Sequence, residues 1–105
     1  MVDPNDTQKW PIVFALKKPI EAPDGRTITE LTIREPTSGD TMDHGSPLDV
    51  DFTATPPKVE INWPRMGLMI GMLADLPQST IALLPSRTLA TLGYRLLPFF
   101  APEAE

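Results

Sequence analysis

The stretch RTITELTIREPTSGD, residues 26–40, decides the fold of this chain. Its first half is rich in β-branched residues. Leu31 and Ile33 fall on one face while Glu30, Thr32 and Arg34 fall on the other. That alternation marks a half-buried strand, because successive side chains of an extended chain point to opposite sides. Upstream, Ile12, Phe14 and Leu16 alternate in the same way. Between the two runs lies Pro23-Asp24-Gly25, where proline presets φ and glycine accepts the positive φ of a tight turn. Residues 11–36 are therefore expected to form a β-hairpin. Ile28 has the wrong parity for the inward face, which predicts a bulge near the turn.

The second half of the stretch changes period. Glu35-Pro36 ends the strand, since proline cannot donate to a ladder. Thr37 is placed to cap a helix, and Asp40 falls in its first turn, where negative charge meets the helix dipole. Gly45-Ser46-Pro47 stops that helix early. Residues 37–62 as a whole read as an irregular or short-helical linker. Within it residues 48–52 are a short helical or extended piece, and residues 53–58, with Pro56-Pro57, are extended chain.

From residue 63 onward the period is helical. Pro64 suits a first helical turn, and Met66, Met69, Ile70 and Leu73 recur at i, i+3, i+4 and i+7. Pro77 closes this helix, and residues 78–84 form a short segment cut by Pro85. Ser86 can cap a third helix whose Leu89, Leu92, Leu96 and Phe99 share a stripe, with Pro98 near its end. Residues 1–10 have no periodicity and are expected to be a flexible arm, and residues 101–105 a tail. The expected architecture is α+β: an N-terminal hairpin, then a cluster of about three short helices over residues 63–100.

Charge narrows the partners. Fourteen acidic against nine basic residues leave a formal charge of −5, which repels phosphate backbones and anionic lipid. The basic residues are dispersed, with Lys17-Lys18 the only adjacent pair, so neither nucleic acid nor membrane is expected. The 105 residues make one domain, and 13 prolines cut its regular elements short. With no cysteine, disulfides and thiolate metal sites are excluded. The start of the chain is polar and acidic, without the apolar run of a signal segment. The longest uncharged apolar run, residues 66–74, is too short to span a bilayer. A soluble protein in a reducing compartment is expected.

Reacting groups are sparse. The sole histidine, His44, lies near Asp40 and Asp43, but without a third placed ligand a solvated helix-end histidine is the better reading. Asp49 and Asp51 extend the acidic stretch without the spacing of a calcium loop. Phosphate-binding glycine motifs are absent, and no carboxylate is clearly placed in an apolar setting that would raise its pKa. Neither a cofactor nor an enzyme is expected. Gly67 and Gly71 have the G-x-x-x-G spacing, which outside a membrane permits close approach of two helices.

What remains is apolar helix. Met66, Met69 and Met72 are spaced by three, and methionine adapts to varied apolar partners. Leu68, Leu76, Leu83, Leu84, Leu97 and Phe100 lie off or beside the main stripes. Three short helices would struggle to hide that surface, and exposed apolar patches mark interaction sites. The candidate partner-binding residues are Met66, Met69, Ile70, Met72, Leu73, Leu89, Leu92, Leu96, Phe99 and Phe100, some of them core and some contact. The unpaired strand edges leave self-association open.

Leu16-Lys17-Lys18-Pro19-Ile20, Gly25 and the run Ile28–Thr37 followed by Gly39-Asp40 resemble the tail assembly chaperones of long-tailed phages, the Mu-like group in particular. In that pattern T-E-L-x-ø-R-E-P-T-x-G-D, with ø apolar, follows L-x-x-P-I. Leu76-Pro77 and Phe99-Phe100 match its later features more loosely. The chain departs after Asp40, where such proteins run on as a longer helix and this one has His44-Gly45-Ser46-Pro47. The resemblance implies a chaperone of the host cytoplasm, absent from the mature virion. It would bind the apolar, helical tape measure protein, keep it soluble and promote tube assembly. It also implies a frameshift-extended form that recruits tail tube protein. The alternatives are a tail or baseplate component retained in the particle, or a non-catalytic interaction module of a prophage. The matched Arg34, Glu35, Pro36 and Asp40 are read as structural, serving the strand exit and helix cap.

Overall fold

The computed structural model describes residues 9–101. The arm expected over residues 1–10 thus lies outside the described residues up to position 8, as does the tail from 102. Trp10, placed in that arm by its lack of periodicity, is instead half-buried. Its ring meets Phe99 edge-on at 5.0 Å between centroids.

The first hairpin pairs β1 (Ile12–Glu21) with β2 (Thr27–Ile33), antiparallel. Ile12 faces Ile33 and Phe14 faces Leu31, so the alternating apolar positions of both strands share the inward side. The turn is as the sequence requires: Gly25 has φ 89° and donates its N–H to the Ala22 carbonyl at 2.9 Å. The expected bulge exists, but on the other strand and wider. Pairing stops after Ala15–Glu30 and resumes at Ile20–Ile28, so residues 16–19 oppose Thr29 alone. Pro19, with no N–H to give, sits in the unpaired stretch.

After β2, the Arg34 N–H donates to the carbonyl of Leu73 at 3.2 Å, fastening the strand exit to the helical layer. Helix α1 (Ser38–His44) follows, with Thr37 as its N-cap. Residues 48–61 correct the linker reading. They form a second antiparallel hairpin of β3 (Leu48–Asp51) and β4 (Lys58–Ile61). Four-residue strands carry too little alternation to stand out from a linker. Pro56-Pro57 falls in the connection, where it obstructs no ladder bond.

Helix α2 (Trp63–Leu73) is capped by Asn62, whose Oδ1 accepts the Arg65 N–H at 3.2 Å, with Pro64 in the first turn. Its end is a Schellman motif: Leu76 N–H reaches the Gly71 carbonyl at 2.8 Å and Asp75 N–H that of Met72 at 3.2 Å. Asp75 takes the left-handed conformation there, with φ 56°. One turn, α3 (Gln78–Ile81), leads to α4 (Ser86–Phe100). The expected Ser86 cap is not formed; Pro85 holds the N-cap position and no side chain caps it. Pro98 lies inside α4, which runs on to Phe100, and the bond lost to proline falls near its end.

The core lies where the first hairpin meets α2 and α4. Ile12, Leu31 and Ile33 pack with Met66, Met69, Ile70 and Leu73 of α2, Leu92 and Leu96 of α4, and Ile81 beyond them. Burying each such side chain contributes about 1.5–3 kcal/mol. Two glycines let the helices close in. A Cβ on Gly71 would stand 2.9 Å from the Leu76 carbonyl oxygen, and one on Gly93 only 2.5 Å from the Trp63 ring. The G-x-x-x-G face therefore admits the chain around α3, while Gly93 brings α4 onto α2.

Candidate partner-binding surface

The ten expected contact residues divide by burial. Met66, Met69, Ile70, Leu73, Leu92 and Leu96 are all within 3% of full burial and form the centre of the core. Met72, Leu89, Phe99 and Phe100 are half-buried and border it. Both groups draw on α2 and α4: the first makes the centre of the core, and the second packs against it.

The exposed apolar surface lies partly on residues that periodicity could not single out. Met42 on α1 is 84% exposed and Phe52, just past β3, is 77% exposed; Val13, Leu68, Leu83 and Tyr94 are exposed as well. Met42 has a legible cause. The Asp40 carboxylate turns inward to cap α1, and Met42 therefore lies on the outward side of a seven-residue helix. It helps to line a groove of ≈ 340 Å³ between α1 and the end of α4, together with Pro36, Thr37, Phe99 and Phe100.

The wall of this groove is fixed electrostatically. Arg34 grips Asp40 with two bonds of 2.8 Å, one to each carboxylate oxygen. Asp40 also accepts the Thr37 N–H at 2.8 Å, and Thr37 returns a side-chain bond to the Asp40 N–H, completing a capping box. Above all the Arg34 guanidinium, and then the Thr37 donors, hold the Asp40 carboxyl well below its ordinary pKa against the opposing cost of burial. The same contact raises Arg34. The R-E-P-T-x-G-D run is thus a clamp that sets the angle of α1 against β2.

A second groove, ≈ 550 Å³, lies between the bulge of β1 and the start of α4. Phe14, Ala15 and Pro85 line it with Lys17, Lys18 and Arg87. The bulge thus gathers three cations on one side of an acidic protein. Charge is segregated along the chain: residues 63–100 hold Arg65, Arg87 and Arg95 against Asp75 alone.

Among the described residues no three His, Cys, Asp or Glu side chains gather to hold a metal ion, and His44 is exposed. No helix among them is long and apolar enough to cross a membrane. The described residues form a small α+β domain. A family model described as "Phage tail assembly chaperone proteins, E, or 41 or 14" matches residues 13–101, and the chain belongs to that family. No curated protein and no solved structure matches it. The match takes in nearly all of both hairpins and the four helices found among the described residues, and so includes the hairpin-to-helix clamp.

Proposed function

We propose that this chaperone binds the tape measure protein through the groove between α1 and the end of α4, keeps it soluble, and releases it to tail tube assembly. The observation that carries this reading is the exposed Met42 beside the half-buried Phe99 and Phe100. These apolar side chains are adaptable or aromatic, and they border a preformed concavity. An amphipathic helix lays its apolar face into such a groove. Membership of the family points to the tape measure protein as that partner, a long apolar helical chain that needs cover before the tube closes around it. Its engagement takes place in the host cytoplasm, and the chaperone leaves before the virion is complete. A frameshift-extended form would recruit tail tube protein to the same complex.

Co-expression with the tape measure protein of the same phage tests this. Wild type is expected to keep that protein in the soluble fraction and to co-purify with it. The double variant Met42→Ser, Phe100→Ser should fold, yet lose ~100-fold in affinity, as expected when two contact anchors of about 1–2 kcal/mol each are truncated. Unchanged capture by a folded double variant would move the contact elsewhere. Chaperone found in stoichiometric amount in purified virions would instead favour a retained tail component.

A further inference from the structure

We propose that the groove between the bulge of β1 and the start of α4 receives an extended acidic segment of a partner protein, which adds to the free edge of β1 as a third strand. The proposal stands apart from tape measure binding, because no residue lines both grooves.

The main chain supplies the first reason. β1 pairs with β2 alone, so its other edge has no strand beside it. Phe14 and Ala15 point to opposite faces of β1, yet both line the groove, as do Lys17 and Lys18. The groove therefore runs along that edge and not over one face. It reaches the widened stretch, residues 16–19, which Thr29 alone opposes. One residue offers a single N–H and a single carbonyl, too few for the main-chain groups of residues 16–19 even with Pro19 lacking an N–H. Lys17, Lys18 and Pro19 are exposed, so the remaining groups are open to a chain laid alongside.

Charge supplies the second. Lys17 and Lys18 stand on the β1 wall and Arg87 on the α4 wall. Among the described residues none of these three cations belongs to an ion pair. Glu30, across the ladder from Ala15, offsets one of them at most. No side chain caps the start of α4, so the positive end of that helix adds to the rim. Arg95, exposed and two turns beyond Arg87, carries the positive strip further along α4. In a chain of net charge −5 this is a local reversal of sign.

The two together define the occupant. Main-chain bonds to a sheet edge hold an extended peptide whatever its sequence, and the side chains it meets set the preference. Here carboxylates would meet Lys17 and Lys18 along the strand and Arg87 across the groove. An apolar side chain between them would rest on Phe14 and Pro85. A polynucleotide would meet the same cations, but it has no N–H and carbonyl groups at strand spacing, and the net charge of the chain repels it.

Fluorescence anisotropy with a labelled, end-capped decapeptide that alternates aspartate and valine tests this on the full chain. Saturable binding is expected at low salt, weakened at least ~10-fold in about 0.5 M NaCl, where the screening length is ~4 Å. The same peptide with alternate main-chain amides methylated should also bind at least ~10-fold more weakly, since one of its edges can no longer donate. Lys17→Glu with Lys18→Glu, and separately Arg87→Glu, should each weaken binding at least ~10-fold. Met42→Ser, in the other groove, should leave it unchanged. Circular dichroism confirms that the variants fold, and the methylated peptide tests the wild type without any variant. Absence of binding by wild type overturns the proposal, as do folded charge-reversed variants that bind as wild type does. Equal binding of the methylated peptide would leave charge without strand addition. A single-stranded oligonucleotide of equal charge that binds as tightly as the peptide would make the groove a general polyanion site. Peptide displaced by self-association as chain concentration rises would give the groove to a second copy. Each of these three results also overturns it.

Discussion

In the first hairpin Ile12, Leu31 and Ile33 are buried, and α2 and α4 lie behind them. In the second hairpin cover is lost step by step: Leu48 is buried, Val50 is half-buried, and Phe52 is exposed. Both hairpins alternate apolar and polar residues. Alternation settles which face could be buried, and only the surface behind that face settles whether it is. The first hairpin is also fastened at its exit, through the Arg34 N–H to Leu73 and the ion pair to Asp40. The second is fastened at its base alone, where Asn62 N–H donates to the Pro47 carbonyl at 2.8 Å. One hairpin is therefore structure, and the other is an arm carried by it.

The contrast breaks most severely at its rigid end. Ile33→Ala leaves a cavity at a site of 0% exposure. The expected loss is about 3 kcal/mol, within the usual range for deleting a buried aliphatic side chain. In a domain of this size that lowers the melting temperature by roughly 4–8 °C per kcal/mol. Thermal unfolding monitored by circular dichroism checks it, and a loss below ~1 kcal/mol would mean that the hairpin is not the lid of the core.

Gly93→Ala sets helix propensity against packing. Alanine gains about 1 kcal/mol over glycine in a helix interior. Its Cβ, however, would meet the Trp63 ring at 2.5 Å, which only a shift of the half-buried indole relieves. Overpacking of that kind costs about 1–3 kcal/mol, so net destabilisation of about 1 kcal/mol or slightly more is expected. The edge-on contact of Trp63 with Tyr94, 5.8 Å between centroids, should be lost with it. The change would be read in the aromatic circular dichroism.

Asp40→Asn tests the clamp between the two regions. Arg34 is half exposed, so water screens the ion pair and the cap supplies much of the effect. A loss of about 1 kcal/mol is expected. The pH dependence separates charge from shape. Because the folded-state pKa of Asp40 is depressed, chiefly by Arg34, its ionised form stabilises the fold. That contribution is complete above the unfolded value of about 4 and is lost as pH falls below it toward the lower folded pKa. Wild type should therefore lose more stability than Asp40→Asn between about pH 4 and pH 2. Denaturant midpoints measured across that interval decide the matter, and parallel curves would remove the clamp from the argument.

The legible parts of the fold were those with long periods or obligatory residues. Leu31 and Ile33 announced the first hairpin, Pro23-Asp24-Gly25 its turn, Thr37 the α1 cap and the Met66–Leu73 spacing α2. The second hairpin was not legible, because four residues per strand fit a linker as well as a ladder. Nor was the split of the ten apolar residues: spacing alone does not say which of them the packing of the first hairpin, α2 and α4 buries and which it leaves half-buried. The Met42 groove and the Lys17, Lys18 and Arg87 rim escaped for another reason. Each joins residues far apart in sequence, brought together by a clamp and by a bulge whose width only the pairing reveals.

The smallest effect sharpens the comparison furthest. Phe52 shares the parity of Leu48 and Val50, and in a hairpin held along its length it would be the third member of a buried row. Replacing it with serine would then cost ~3 kcal/mol or more, as for other buried aromatic residues. On an arm held only at its base, Phe52→Ser should change the stability of dilute, monomeric protein by less than ~0.5 kcal/mol. Amide exchange gives the same contrast without a mutation. The N–H groups of Val50 and Asp51 should exchange through local opening, far faster than those of Leu31 and Ile33, which open only with the core. A protected arm combined with a destabilising Phe52→Ser would mean that both hairpins belong to one cooperative unit. An unprotected arm and a silent substitution leave Phe52 free for a contact outside its own chain.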